Sequence, residues 1–178
     1  KDTNMTFQEL AGKLSGQVTG HGNVNVEDWA GAGGGTIVDV EVDPDTGQIK
    51  ILKCTVIQNA GKAIHPGQVE GQMQGGVVQG IGWALYEGYE YDKNGKVLNA
   101  NLLDYKLPTA LDVPNIDAVI IEKPFPSNPY GARGVGETPI ISPAPAIANA
   151  VQKALGVRLH RLPMTPSRIL EEIGITSE

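Results

Sequence analysis

"TIVDVEVDPDTGQIKILKCTVIQ", residues 36–58, alternates apolar and polar side chains on both sides of "DPDTG". Successive strand side chains point to opposite faces, so this two-residue period broken by a Pro/Asp/Gly turn reads as a β-hairpin. A loop, "NAGKAIHPGQ" (59–68), follows, and then the period changes. In "VEGQMQGGVVQGIGWALYEG" (69–88), Val69, Met73, Val77, Gly80 and Ala84 recur every three or four residues, with Gly88 near the end. That is a helical stripe with a glycine placed to help stop it. Gly71, Gly75, Gly76, Gly80 and Gly82 all fall inside it. Each costs about 1 kcal/mol relative to alanine, so the helix needs another backbone or a ligand packed close. An irregular first half is one outcome of that penalty.

The flanking segments mix strand and helix patterns. "TFQELAGKL" (6–14) has Thr6 ahead of a short amphipathic helix, and a Gly/Asn-rich stretch leads from it to the hairpin. "YEYDKNGKVL" (89–98) reads as a second hairpin around "KNG", 99–114 as irregular, and "IDAVIIEK" (116–123) as a strand. "SPAPAIANAVQKALG" (142–156) is a helix with Ser142 as cap, Pro143 in its first turn and Gly156 at its end. "RLHRLPM" (158–164) is extended, and "TPSRILEEIG" (165–174) is a helix opened by Thr165 and Pro166. No regular βαβ rhythm runs through the chain, so the expected class is α+β, a mixed sheet with helices. The expected division is a helix and glycine-rich linker at 1–32 and a single domain at 33–178.

The 178 residues are 40% hydrophobic and 19% charged, the balance of a globular domain. A net charge of −6 and 5% aromatic residues remove the electrostatic and stacking case for nucleic acid, and the charge argues equally against an anionic membrane surface. No segment has the apolar length of a membrane span, and the first residues lack the pattern of a secretory signal. The chain begins with lysine, which fits a piece of a longer protein. The single cysteine, Cys54, sits in an alternating apolar segment and has no internal disulfide partner. It reads as a buried, inert thiol, which favours a reducing, cytoplasmic compartment.

No Cys/His spacing for zinc, no calcium loop, no G-x-S-x-G elbow and no phosphate-cradling motif is present. His21, His65 and His160 are scattered and read as surface or loop residues. Two features remain. Gln68, Gln72, Gln74 and Gln79 accompany the helical glycines; an amide both donates and accepts, which suits a neutral heterocycle or a metal oxo group. Gln72 and Gln79 are seven residues apart, so a regular helix puts them on one face, although such positions are ordinarily solvent-facing. The second feature is "NPYGARGVGETP" (128–139), where Glu137 follows three glycines. A glutamate in such a loop is commonly solvated or caps a helix. A general-base role requires a desolvated pocket, and Arg133 four residues earlier offers an ion pair that would keep it ionised.

Three stretches together resemble the molybdenum hydroxylases, the family of xanthine dehydrogenase and aldehyde oxidase. "GARGVGETPIISPAPAIANAV" (131–151) resembles that family's catalytic glutamate loop. "VEGQMQGGVVQGIGWALYE" (69–87) resembles its glutamine-containing cofactor segment. "VDVEVDPDTGQIKILKCTVIQNAGKAIHP" (38–66) resembles the preceding hairpin and connection. The resemblance is collinear from Gly33 to "LPMTPSRIL" (162–170). The pattern departs at Asn59–Ala60, where the family often has an aspartate or a cysteine pair, and at His65 within Ile64-His65-Pro66, where it often has asparagine.

The resemblance implies a pterin-held molybdenum that oxidises a purine, N-heterocycle or aldehyde with water as the oxygen source. Glu137 would be the general base that takes the proton of the attacking hydroxyl. Gln72 would stand beside the molybdenum and its pterin, with Gly75, Gly76 and Gln79 in the same cofactor segment. Arg133 and Gly134 would shape the floor of the site. The implied cofactor is molybdopterin, in its cytosine dinucleotide form, with 2Fe-2S clusters and FAD in partner domains or subunits. The family's molybdenum-binding unit is several times longer than this chain, so the implied partner is also an upstream part of the same subunit. Two rival readings keep the fold: a non-catalytic binding or assembly module, and a subunit of a related aromatic acyl-CoA reductase.

Overall fold

The computed structural model describes residues 4–14, 16–23, 25 and 31–175. The linker expected before residue 33 therefore lies partly outside the described residues. The element order is α1 (Phe7–Lys13), β1 (Gly34–Val42), β2 (Ile49–Asn59), α2 (Pro66–Leu85), β3 (Asn115–Ile121), α3 (Thr138–Ile141), α4 (Pro143–Leu155) and α5 (Pro166–Glu172). α1 forms where expected, capped by a Thr6–Glu9 capping box, and it buries no side chain.

β1 and β2 pair antiparallel, with Thr36 opposite Val56 and Val38 opposite Cys54, and a bulge falls between Asp39 and Val40. Asp43 closes the turn, its carboxylate accepting from the Asp45 N–H at 2.9 Å and the Thr46 hydroxyl at 2.7 Å. Gly47 completes that turn at φ 71°. β3 joins the other side of β2 in parallel, with Val56 opposite Ala118. A parallel neighbour needs a long crossover connection, and α2 lies within it. The result is the expected mixed sheet, in the order β1-β2-β3.

The core lies between the sheet and the helices. Cys54 and Val56 from β2 join Met73, Val77 and Ile81 from α2, Ile147 and Val151 from α4, and Ile169 from α5, all buried. Burial pushes the Cys54 thiol up to about 11. Among the described residues no helix is long and apolar enough to cross a membrane.

Two local expectations change. α2 is one helix from Pro66, not irregular in its first half, with Pro66 in its first turn and the His65 Nδ1 accepting from the Gln68 N–H at 3.2 Å. The second hairpin at 89–98 reduces to one bridge, Tyr91–Val97. There Asp92 Oδ1 accepts from the backbone N–H groups of Asn94 and Lys96, and the exposed Tyr89 and Tyr91 offer no apolar face to bury. Gly156 ends α4 in the left-handed conformation, as expected. Ser142 occupies the cap position without a capping bond; its hydroxyl instead meets Thr36 Oγ1 at 2.6 Å, tying α4 to β1.

Candidate active site

The glycines of α2 divide by face. A Cβ on Gly76 would stand 2.7 Å from Pro139 Cβ, and one on Gly80 would stand 2.8 Å from Pro143 Cβ. α3 and the start of α4 thus press directly on the helix backbone, the close packing that the glycine penalty demanded. Gly71 and Gly75 have nothing within 4 Å of such a Cβ. The 3.6-residue period places Gly75 beside Gln72 and Gln79 on the outer face, and both glutamines are exposed.

The loop ahead of Glu137 is stitched to the β2–α2 connection. The Gly131 carbonyl accepts from the Lys62 N–H at 3.0 Å and the Phe125 N–H at 3.1 Å. The Arg133 N–H donates to the Ala60 carbonyl at 2.9 Å. Gly61 has φ 67°, and a Cβ there would collide with the Gly131 carbonyl, so the two segments touch backbone to backbone. Asn59, a departure from the family pattern, is structural: its Oδ1 accepts from the Gly61 N–H at 2.9 Å and the Lys123 N–H at 3.2 Å.

Arg133 does not pair with Glu137. Its guanidinium donates to the Gly31 carbonyl at 2.6 Å and the Lys123 carbonyl at 3.4 Å, and lies 5.2 Å from the centre of the Phe125 ring. It braces the loop from behind. Beyond it the loop is held twice by glutamine amides: Gln58 Nε2 donates to the Gly134 carbonyl and Gln72 Nε2 to the Gly136 carbonyl, each at 3.2 Å. Glu137 comes next, exposed, at the start of α3. Among the described residues its carboxylate has no hydrogen-bonding or ionic partner.

Of the residues singled out in sequence, the structure brings Gln72 to the loop of Arg133, Gly134 and Glu137 and leaves Gly75 and Gln79 on the adjoining helix face. Gly76 faces inward and supports α3 by contact with Pro139. Gln58 was not singled out. The alternation of β2 carried the signal, because Gln58 falls on the inward side with Cys54 and Val56. A cavity of about 630 Å³ between Ile49, Tyr86, Asp112 and Met164 contains none of these residues.

The model of the molybdopterin cofactor-binding domain family matches residues 1–114, nearly two thirds of the sequence. The chain belongs to that family. The putative xanthine dehydrogenase molybdenum-binding subunit of Escherichia coli is 40% identical over 161 residues, 90% of this chain and 21% of that protein. That alignment is too long to stop at residue 114, so it reaches into the half of the chain that holds the glutamate loop. The 6-hydroxypseudooxynicotine dehydrogenase complex subunit gamma of Paenarthrobacter nicotinovorans is 44% identical over 139 residues, 76% of this chain and 18% of that one. Among solved structures, quinoline 2-oxidoreductase from Pseudomonas putida superposes with a TM-score of 0.72 at 38% identity, over 75% of this chain and 17% of that chain. Aldehyde oxidoreductase from Desulfovibrio gigas superposes with a TM-score of 0.69 at 39% identity, over 75% and 14%. The chain thus spans about a fifth of the length of the curated relatives it matches.

The donor set fits a pterin. Gln72 keeps its Oε1 and one N–H beyond the bond to Gly136, Gln79 presents a second amide, and Gly71, Gly75, Gly134 and Gly136 leave open space at the backbone. A neutral heterocycle with donors and acceptors along its edges suits such groups. Among the described residues no cluster of His, Cys, Asp or Glu could hold a metal ion.

Proposed function

We propose that this chain is the C-terminal part of the molybdenum-binding subunit of a hydroxylase or dehydrogenase, with Glu137 as its general base. The observation that carries this reading is the Gln72–Gly136 hydrogen bond at 3.2 Å. It ties the outer, glycine-rich face of α2 to the residue before Glu137, which supports reading the amide and the carboxylate as parts of one site.

In this reading Gln72 and Gln79 orient the pterin edge by donating and accepting hydrogen bonds, while Gly75 lets it approach the helix backbone. Gly134 lets the same group approach the loop, and Arg133, held by Gly31 and Phe125, keeps the floor in place. Molybdopterin in its cytosine dinucleotide form would, when bound, supply the two-electron acceptor for an oxidation whose oxygen comes from water. Beside such a group the Glu137 carboxylate would act as the base, taking up a proton at Oε, with a purine, N-heterocycle or aldehyde as the substrate. Such a base accelerates the step by roughly 10²–10⁴-fold. Its exposure here leaves room for an upstream part of the subunit to supply the opposite wall and exclude water, strengthening the charge interactions inside. The electrons would leave to 2Fe-2S and FAD in partner domains or subunits, in a cytoplasmic complex.

Molybdenum and pterin analysis of the full-length protein, followed by a screen of purines, aldehydes and N-heterocycles, tests this. One molybdenum and one pterin per subunit with oxidation of a member of these classes is the expected result. A full-length protein without either cofactor component, or with both and no oxidation, contradicts the reading.

A further inference from the structure

We propose that Gln58 is a positioning residue for Glu137, acting through the Gly134 carbonyl; this rests on the reading of Glu137 as the base. Gln58 ends the inward row of β2 that runs Cys54, Val56, Gln58, and its side chain is 0% exposed. Nothing about a core position calls for an amide there. An apolar side chain would fill the same space without taking polar atoms out of water. The amide instead spends one atom on the loop, Nε2 to the Gly134 carbonyl at 3.2 Å. Among the described residues its Oε1 is buried with no partner. Turning the amide over would set Oε1 against the Gly134 oxygen, two acceptors face to face, so the carbonyl fixes which end donates. A buried amide kept at the cost of an unmatched acceptor is an arrangement that stability alone does not favour.

The bond has a counterpart. Gln72 holds the Gly136 carbonyl, so two amides from different elements grip the loop at residues 134 and 136. Val135, between them, packs against the core. Glu137 is the next residue, and Gly134 and Gly136 bring no side chains that could hold the backbone themselves. Gln58 is the buried half of this clamp and Gln72 the exposed half. Small misplacement of a catalytic group carries a large rate penalty, so the clamp bears on turnover more than on binding.

The test uses the full-length holoenzyme and steady-state kinetics. Gln58→Met keeps the length and removes the donor; kcat should fall at least ten-fold, with KM within two-fold and molybdenum and pterin content unchanged. Gln58→Glu restores a donor only while protonated. Its kcat should approach wild type at acid pH and fall as pH rises, an ionisation absent from the wild-type profile. Wild-type kcat in Gln58→Met overturns the proposal. Should that variant not accumulate, a Gln58→Glu profile parallel to wild type overturns it. Glu137→Gln measured alongside separates the two levels. Loss of turnover there with wild-type kcat in Gln58→Met removes the positioning role alone. Retained turnover in Glu137→Gln removes the base and the positioning role together.

Discussion

Adjacent glycines of α2 should respond differently to alanine. At Gly75 a methyl group meets nothing within 4 Å, so Gly75→Ala keeps the helix-propensity gain of about 1 kcal/mol. At Gly76 the same methyl would stand 2.7 Å from Pro139 Cβ and 3.3 Å from the Ile140 nitrogen. Pro139 is buried and its ring is rigid, so the clash is relieved only by moving α3 away from α2. Overpacking of this kind costs about 1–3 kcal/mol and cancels or exceeds the propensity gain. The two variants should therefore differ by about 1–3 kcal/mol. With a urea m-value of about 2 kcal/mol/M, that is a separation of about 0.5–1.5 M in midpoint. Urea titration of the two variants beside wild type, followed by circular dichroism, reads this directly. Gly75→Ala should unfold later than wild type and Gly76→Ala at or before it. In the full-length protein Gly75→Ala should also lower pterin content, because its methyl occupies the face proposed for the cofactor. Coincident midpoints for the two variants would refute the division of the helix into a packed and an open face.

Two further outcomes follow from charge and burial. The Lys62 ammonium and the Ala63 N–H hold the Glu122 carboxyl below its ordinary 4.5. A depressed carboxyl stabilises the fold fully above that ordinary value and ceases to do so as pH falls through its lower native value. Glu122→Gln should accordingly be less stable than wild type near neutrality, and the gap should close on acidification; a gap constant with pH contradicts it. Cys54, buried and pushed up to about 11, should resist iodoacetamide at pH near 8 in the native protein and react once urea unfolds it, as mass spectrometry would show. Prompt native alkylation would mean that the β2 face is open.

The hairpin was legible because period-two alternation flanks a turn whose chemistry resides in the turn itself, at Asp43, Thr46 and Gly47. The same signal misled at 89–98, where "KNG" makes a turn but Tyr89 and Tyr91 have no core to alternate against. The regularity of α2 was hidden because its glycine penalty is offset by Pro139 and Pro143, some sixty residues on, and long-range contacts leave no local trace. The parallel pairing of β3 with β2 is hidden for the same reason. For the site, the sequence itself singled out Gln72 and Glu137 and motif resemblance supplied their roles, but the hydrogen bond that joins Gln72 to Gly136, the residue before Glu137, is one that neither segment shows alone. Arg133 illustrates the converse: four-residue spacing from Glu137 suggested an ion pair, but backbone carbonyls of Gly31 and Lys123 claim its guanidinium.

The central claim is that Glu137 acts as a base on a group held by the face of α2. Its most direct test is turnover by full-length Glu137→Gln, measured together with molybdenum and pterin content. Gln keeps the size and polarity of the side chain and removes only its capacity to take a proton. The account predicts a loss of about 10²–10⁴-fold or more in kcat with both cofactor contents at the wild-type level. Wild-type turnover in that variant would contradict it.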